Sequence, residues 1–284
     1  MPHITADLPA ENVPSWALWQ RQLMGTMEQV VEPYLEHFTR DDGEFTGEFI
    51  WEDAWGGGSP DDYFEPFFNW PLVYLMGGSE RLLALAQRQF DAVTGQLMRL
   101  GSYHKEYGFR EDQMHQSEAD VLFYHLCLAH PGHDRRRDQA RRFAGFYLNE
   151  DPEAINYDPE KKLVLSGLNG SKGAFVAPRE GQPRPYNPVG TTMEPYGLPF
   201  FDLPGIESVK DLADPGNAQR MAMAMQDRWQ AGDSPANLAI TSMMTNAFLM
   251  TGEEKYREWV VEYTDAWLER GKANGGLLPD QVGP

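Results

Sequence analysis

The turns Leu75-Met76-Gly77-Gly78-Ser79-Glu80-Arg81 and Leu249-Met250-Thr251-Gly252-Glu253-Glu254-Lys255 share one plan, and Asp91-Ala92 falls opposite Asp265-Ala266 in the same register. In both, an apolar helical run closes on glycine and a charged run opens behind it. Glycine suits the left-handed residue that ends a helix, and Ser79 suits the cap that starts the next. The spacing predicts three helical hairpins: 64–76 with 79–100, 114–129 with 134–148 across His130-Pro131-Gly132, and 236–250 with 253–270. One helix pair cannot bury its apolar face alone, so repeated pairs predict stacking into a solenoid or a closed ring. The first helix of each pair is the more apolar, as an inner ring covered on more sides would be. The expected class is all-α: helical hairpins forming an (α/α) toroid or partial toroid, in one domain spanning 1–284.

An opening helix over 15–38 is expected from Trp16, Trp19, Leu23, Met27, Val30, Val31 and Tyr34, with Pro33 kinking it or ending its regular part. Residues 151–216 are rich in Pro, Gly, Asn and Asp and break the pattern. A stretch that long inside a compact domain reads as a functional insertion over one mouth of the helices, with 161–165 as a short strand.

The chain has 284 residues, 24 Lys plus Arg and 43 Asp plus Glu, a formal charge of −19. That charge opposes nucleic acid and anionic membrane. The basic run at 135–137 reads as a solvated helix face. Cys127, the single cysteine, lies in an apolar run and is expected to be a small buried hydrophobe. No signal peptide or run of 18 apolar residues is evident, so the cytoplasm is the default location.

Chemistry concentrates in two clusters. Residues 51–70 join Glu52, Asp53, Asp61, Asp62 and Glu65 to seven aromatic residues and Gly56-Gly57-Gly58. Indole and phenol faces stack on pyranoses, while acids bind hydroxyls or move protons. The second cluster runs from His104 through Tyr107 to Glu111-Asp112-Gln113-Met114-His115-Gln116-Ser117-Glu118-Ala119-Asp120. His115 and Glu118 share a helix face, as do Gln116 and Asp120. Both clusters precede the first helix of a hairpin, so both are expected at one mouth. Glu194, in the insertion, is a third candidate. Asp151, Asn156, Asp158 and Glu160 supply oxygen ligands but lack the glycine and terminal glutamate of a calcium loop, so no metal or cofactor is expected.

With Trp51-Glu52-Asp53-Ala54-Trp55-Gly56-Gly57-Gly58 followed by Phe68-Asn69-Trp70-Pro71-Leu72, the chain resembles the six-hairpin (α/α)-toroid carbohydrate-active enzymes. These are glycoside hydrolases, unsaturated glucuronyl hydrolases and polysaccharide lyases, and the likeness is to a bacterial branch. A full ring of that kind needs twelve helices, and about eight are legible here. The 275–284 stretch reads as a loop leading into further structure. The chain reads as a truncated or split protein or as a shorter open member, with a missing C-terminal segment or a homo-oligomer as the expected partner.

The resemblance implies a glycoside hydrolase acting on an oligosaccharide or uronic-acid-containing glycan through paired carboxylates. Asp53 and Glu118 form the leading pair, with Asp61, Asp62 and Asp120 as substitutes. Trp51, Trp55, Asn69 and Trp70 would line the sugar sites, with His115, His104 and Glu194 binding the substrate's polar groups. A polysaccharide lyase would use Tyr107, His104 or His115 as base. A non-catalytic glycan-binding scaffold and an isomerase or dehydratase on a small apolar molecule are the remaining readings.

Overall fold

The computed structural model describes residues 13–46, 60–109, 111–175 and 182–283. Among them the chain is predominantly helical, and its strands are two-residue pieces.

The opening helix is two helices, α1 (Ser15–Gln29) and α2 (Val31–Phe38). Pro33 explains the break, which falls upstream of it. A proline cannot donate to the carbonyl four residues earlier, and its ring crowds that carbonyl, here Gln29. The expected apolar stripe is a core face only in its later part, where Met27 and Tyr34 pack against the core beside Val31. Met24 and Val31 are buried, whereas Trp16, Trp19, Leu23 and Val30 are exposed.

The first expected hairpin helix, 64–76, is shortened to α4 (Trp70–Leu75), and a brief α3 (Pro60–Phe64) precedes it. Pro66 lies in the intervening turn, where it lacks an N–H and disfavours a helical Glu65. α5 (Glu80–Leu100) starts at Ser79, whose hydroxyl accepts from Arg81 N at 3.2 Å. It ends at left-handed Gly101.

A hairpin of β1 (Tyr103–His104) and β2 (Tyr107–Gly108) follows. Its turn residues, Lys105 and Glu106, have φ of 53° and 67°. Two consecutive left-handed residues match the twist of a tight hairpin but are strained without glycine. Ion pairs hold both in place. Lys105 reaches Asp151 and Glu153, and Glu106 takes Arg135 and Arg142.

β3 (Glu111–Asp112) leads directly into α6 (Gln113–Ala129), which α7 (Asp134–Tyr147) follows. In the insertion, β4 (Tyr157–Asp158) pairs with β5 (Leu163–Val164), within the strand expected at 161–165. β6 (Leu168–Asn169) pairs with β3, which ties the insertion to the start of α6. α8 (Pro215–Ala224) runs into a π-helical turn, Met225–Gln230. A 3-10 turn (Pro235–Ala239), α9 (Ile240–Thr251) and α10 (Glu254–Ala273) complete the third hairpin.

α6 packs against α3, α4, α5, α7 and α9 and is the axis of the core. Its Phe123 stacks on Phe90 of α5 at 5.6 Å, and α10 contributes stacked Trp259 and Tyr263 at 4.7 Å. A smaller core of Leu198, Ile206, Leu212 and Met221 holds the insertion together. Among the described residues, no helix is long and apolar enough to cross a membrane.

Candidate functional site

The N-terminal half of α6 carries two polar rows. Gln113, Gln116 and Asp120 are buried, whereas His115 and Glu118 face solvent. The helix periodicity separates them, because positions three and four apart share a face.

The outward row lines a cleft of about 350 Å³ with Asp112, Gly167, Trp229, Ser234 and Ala236. Asp112 caps α6: its Oδ1 accepts from Met114 N at 2.9 Å and His115 N at 3.2 Å. Its Oδ2 lies 2.8 Å from His115 Nδ1. Trp229 arrives from the π-helical turn and closes on Gly167, where an added Cβ would stand 3.0 Å from the indole nitrogen. A widened turn of this kind re-aims a side chain and recurs at functional sites. The cleft thus brings together two carboxylates, an imidazole and an indole.

The buried row belongs to a hydrogen-bonded chain through the interior. Tyr107 donates its hydroxyl proton to Asp120 Oδ2 at 3.1 Å, and the Tyr107 and Tyr147 hydroxyls lie 3.4 Å apart. Tyr147 donates to Asn169 Oδ1 at 3.1 Å and accepts from Gln113 at 2.8 Å. Asn169 then donates to Asn237 Oδ1 at 3.1 Å, and Asn237 donates to Asp233 Oδ1 at 2.8 Å. Asp233 also accepts from Ser234 N, Val164 N and the Tyr263 hydroxyl. Burial pushes the Asp120 carboxyl up to about 8, against the opposing Tyr107 bond. Burial raises Asp233 to about 6, its four donors keeping it lower than Asp120.

Several expected site residues lie elsewhere. Asp53, Trp51 and Trp55 fall outside the described residues. Asp61 and Asp62 lie on α3, which packs on α6, and Asp62 is exposed. Trp70 belongs to the core, edge-on to Phe67 at 5.1 Å, and so presents no face to a sugar. Asn69 is an exposed residue ahead of α4 and makes no capping bond. Tyr107 is buried, and burial together with the Asp120 charge raises its phenol well above the ordinary value, which disfavours it as a base. His104 does not line the cleft; its Nε2 lies 3.4 Å from Glu153 on the β1–β2 side. Glu194 accepts from Gly190 N at 2.6 Å and closes its own turn. The oxygen ligands weighed for calcium are engaged locally: Asp151 by Lys105, and Asp158 by Glu160 N and Lys161 N. Among the described residues, no cluster of three His, Cys, Asp or Glu is arranged to hold a metal ion.

A family model described as a domain of unknown function (DUF8034) matches residues 3–284. The chain belongs to this family. No curated protein and no solved structure matches it. Membership therefore assigns no chemistry to the DUF8034 fold, and the cleft at α6 carries the functional reading.

Trp229, Gly167, Asp233 and Asn237 did not stand out in the sequence. Trp229 follows a Met-rich run that reads as ordinary helix, and Asp233 reads as a solvated loop acid. Gly167-Leu168-Asn169-Gly170, whose glycines signal close backbone approach, was the available clue.

Proposed function

We propose that this protein is a glycoside hydrolase of the (α/α)-toroid kind, acting on an oligosaccharide or uronic-acid-containing glycan bound in the cleft at the start of α6. The observation that carries the reading is the lining itself, in which Glu118, Asp112 and His115 stand with Trp229 in one concavity. An indole face supplies the apolar platform that a pyranose needs, and carboxylates bind its hydroxyls. Glu118 is placed as one member of the acid and base pair. The partner carboxylate is a matter for mutagenesis, with Asp61 of α3, a helix that packs on α6, and Asp53 as candidates. The toroid itself is part of the proposal, supported by hairpins whose first helices adjoin in order, α4 against α6 and α6 against α9.

A lyase is the second reading, favoured by the Asp112–His115 contact, which suits a histidine base. A panel of neutral and uronic oligosaccharides tests both. New reducing ends without a conjugated double bond indicate hydrolysis, and absorbance from that bond indicates elimination. Glu118→Gln is expected to cut turnover by roughly 10²–10⁴-fold while binding persists. Trp229→Ala is expected to weaken binding by roughly 1 kcal/mol, about fivefold in Kd. If no sugar in the panel is bound or cleaved, the proposal fails.

A further inference from the structure

We infer that Asp112 is a positioning residue that fixes the His115 ring, so that the imidazole works in the cleft as a proton acceptor through Nε2. The inference of a working imidazole rests on the catalytic reading of the cleft; the ring geometry stands without it.

The two Asp112 oxygens have separate tasks. Oδ1 takes the backbone amides of Met114 and His115, as any N-cap does. Oδ2 takes the His115 Nδ1 at 2.8 Å. A cap alone needs a single oxygen, which a serine hydroxyl would supply. A carboxylate only accepts, so Nδ1 must carry a proton. In the neutral ring, Nε2 is then the acceptor nitrogen, and the adjacent carboxylate stabilises the imidazolium formed when that nitrogen takes a proton.

The neighbourhood supports this assignment. β3 places Asp112 rigidly, because its pairing with β6 anchors the residue just ahead of the helix. The ring lines the cleft that also holds Glu118 and Trp229. Glu118 sits one turn further along α6, so the acidic and imidazole groups occupy one helix face at a spacing of three.

The test separates capping from positioning. Asp112→Ser keeps a capping oxygen but has none left for the ring, whereas Asp112→Ala loses both. Long-range ¹H–¹⁵N correlation spectra at alkaline pH report the His115 tautomer directly. Wild type is expected to show the Nδ1–H form. Asp112→Ser is expected to shift to the Nε2–H form with its Tm within a degree or two of wild type. Asp112→Ala is expected to shift likewise and also lose stability. Carbethoxylation of His115 by diethyl pyrocarbonate, followed by peptide mass spectrometry, is expected to slow several-fold in Asp112→Ser. An unchanged tautomer and an unchanged modification rate in Asp112→Ser would overturn the inference and leave Asp112 as a cap. Neither readout needs a sugar, so failure of the hydrolase reading and failure of this one are separately visible.

Discussion

The Tyr107 hydroxyl donates to Asp120 Oδ2 across 3.1 Å, and this pair forms one end of a buried polar chain whose other end is Asp233. The two terminal carboxyls both bind protons more tightly in the fold than in water. Burial favours the neutral form of each more than water does, and the consequences can be measured.

Stability is expected to fall as pH rises. Asp120 moves from an ordinary 3.8 to about 8 and Asp233 from 3.8 to about 6. The folded state therefore binds more protons than the unfolded chain in these windows. The stabilisation is complete below about 4, fades for Asp233 up to about 6, and for Asp120 up to about 8. The thermal midpoint should decline between pH 5 and pH 9. Asp120→Asn, which still accepts from Tyr107, should match wild type near pH 5 and exceed it near pH 9. A wild-type midpoint that rises across this range would refute the assignment.

Asp233→Asn should be destabilising at neutral pH, even though it removes a buried charge. Each Asp233 oxygen takes two donors: Oδ1 from Ser234 N and Asn237, Oδ2 from Val164 N and Tyr263. An amide nitrogen facing either pair sets donor against donor. Denaturant unfolding should show a loss of about 2–3 kcal/mol.

Gly170→Ala should cost more than about 1 kcal/mol, because its φ is 135° and a methyl would run into the Gly108 carbonyl. The same glycine donates its N–H to Asn156 Oδ1 at 3.0 Å. A lower Tm with unchanged secondary structure by circular dichroism is the expected outcome.

Cys127 is buried, and burial pushes its thiol up to about 11. The thiolate is the reactive form, so labelling by a disulfide reagent near pH 8 should be slow in the native protein and rapid after unfolding. Fast labelling of folded protein would show that the contact between α6 and α9, where Asn246 donates to the Cys127 thiol, opens.

The hairpins were legible because their signals are local. Ser79, Gly101 and Gly252 punctuate helices through their own backbone preferences, and the expected bounds of α5, α6, α7 and α10 lie within a few residues of those observed. Periodicity also separated His115 and Glu118 from Gln116 and Asp120. It could not say which of those two faces would be covered. The same limit applied to α1, whose stripe is real but whose Trp16 and Trp19 lie exposed, and to Trp70, whose place in the aromatic loop suggested a sugar platform until core packing claimed it.

By itself, then, the sequence determined that this chain is helical, where most of its helices turn, and that the start of α6 is dense in acid, amide and imidazole groups. Tertiary structure alone decided which polar groups are buried and paired. Tyr263 reaches Asp233 and Asn237 reaches Asn169 across 30 and 68 residues, and only the packed chain brings Trp229 over Gly167 beside Glu118. Helix propensity and capping act within a turn or two of chain, whereas burial, and with it protonation and cleft shape, depends on segments that meet only after folding.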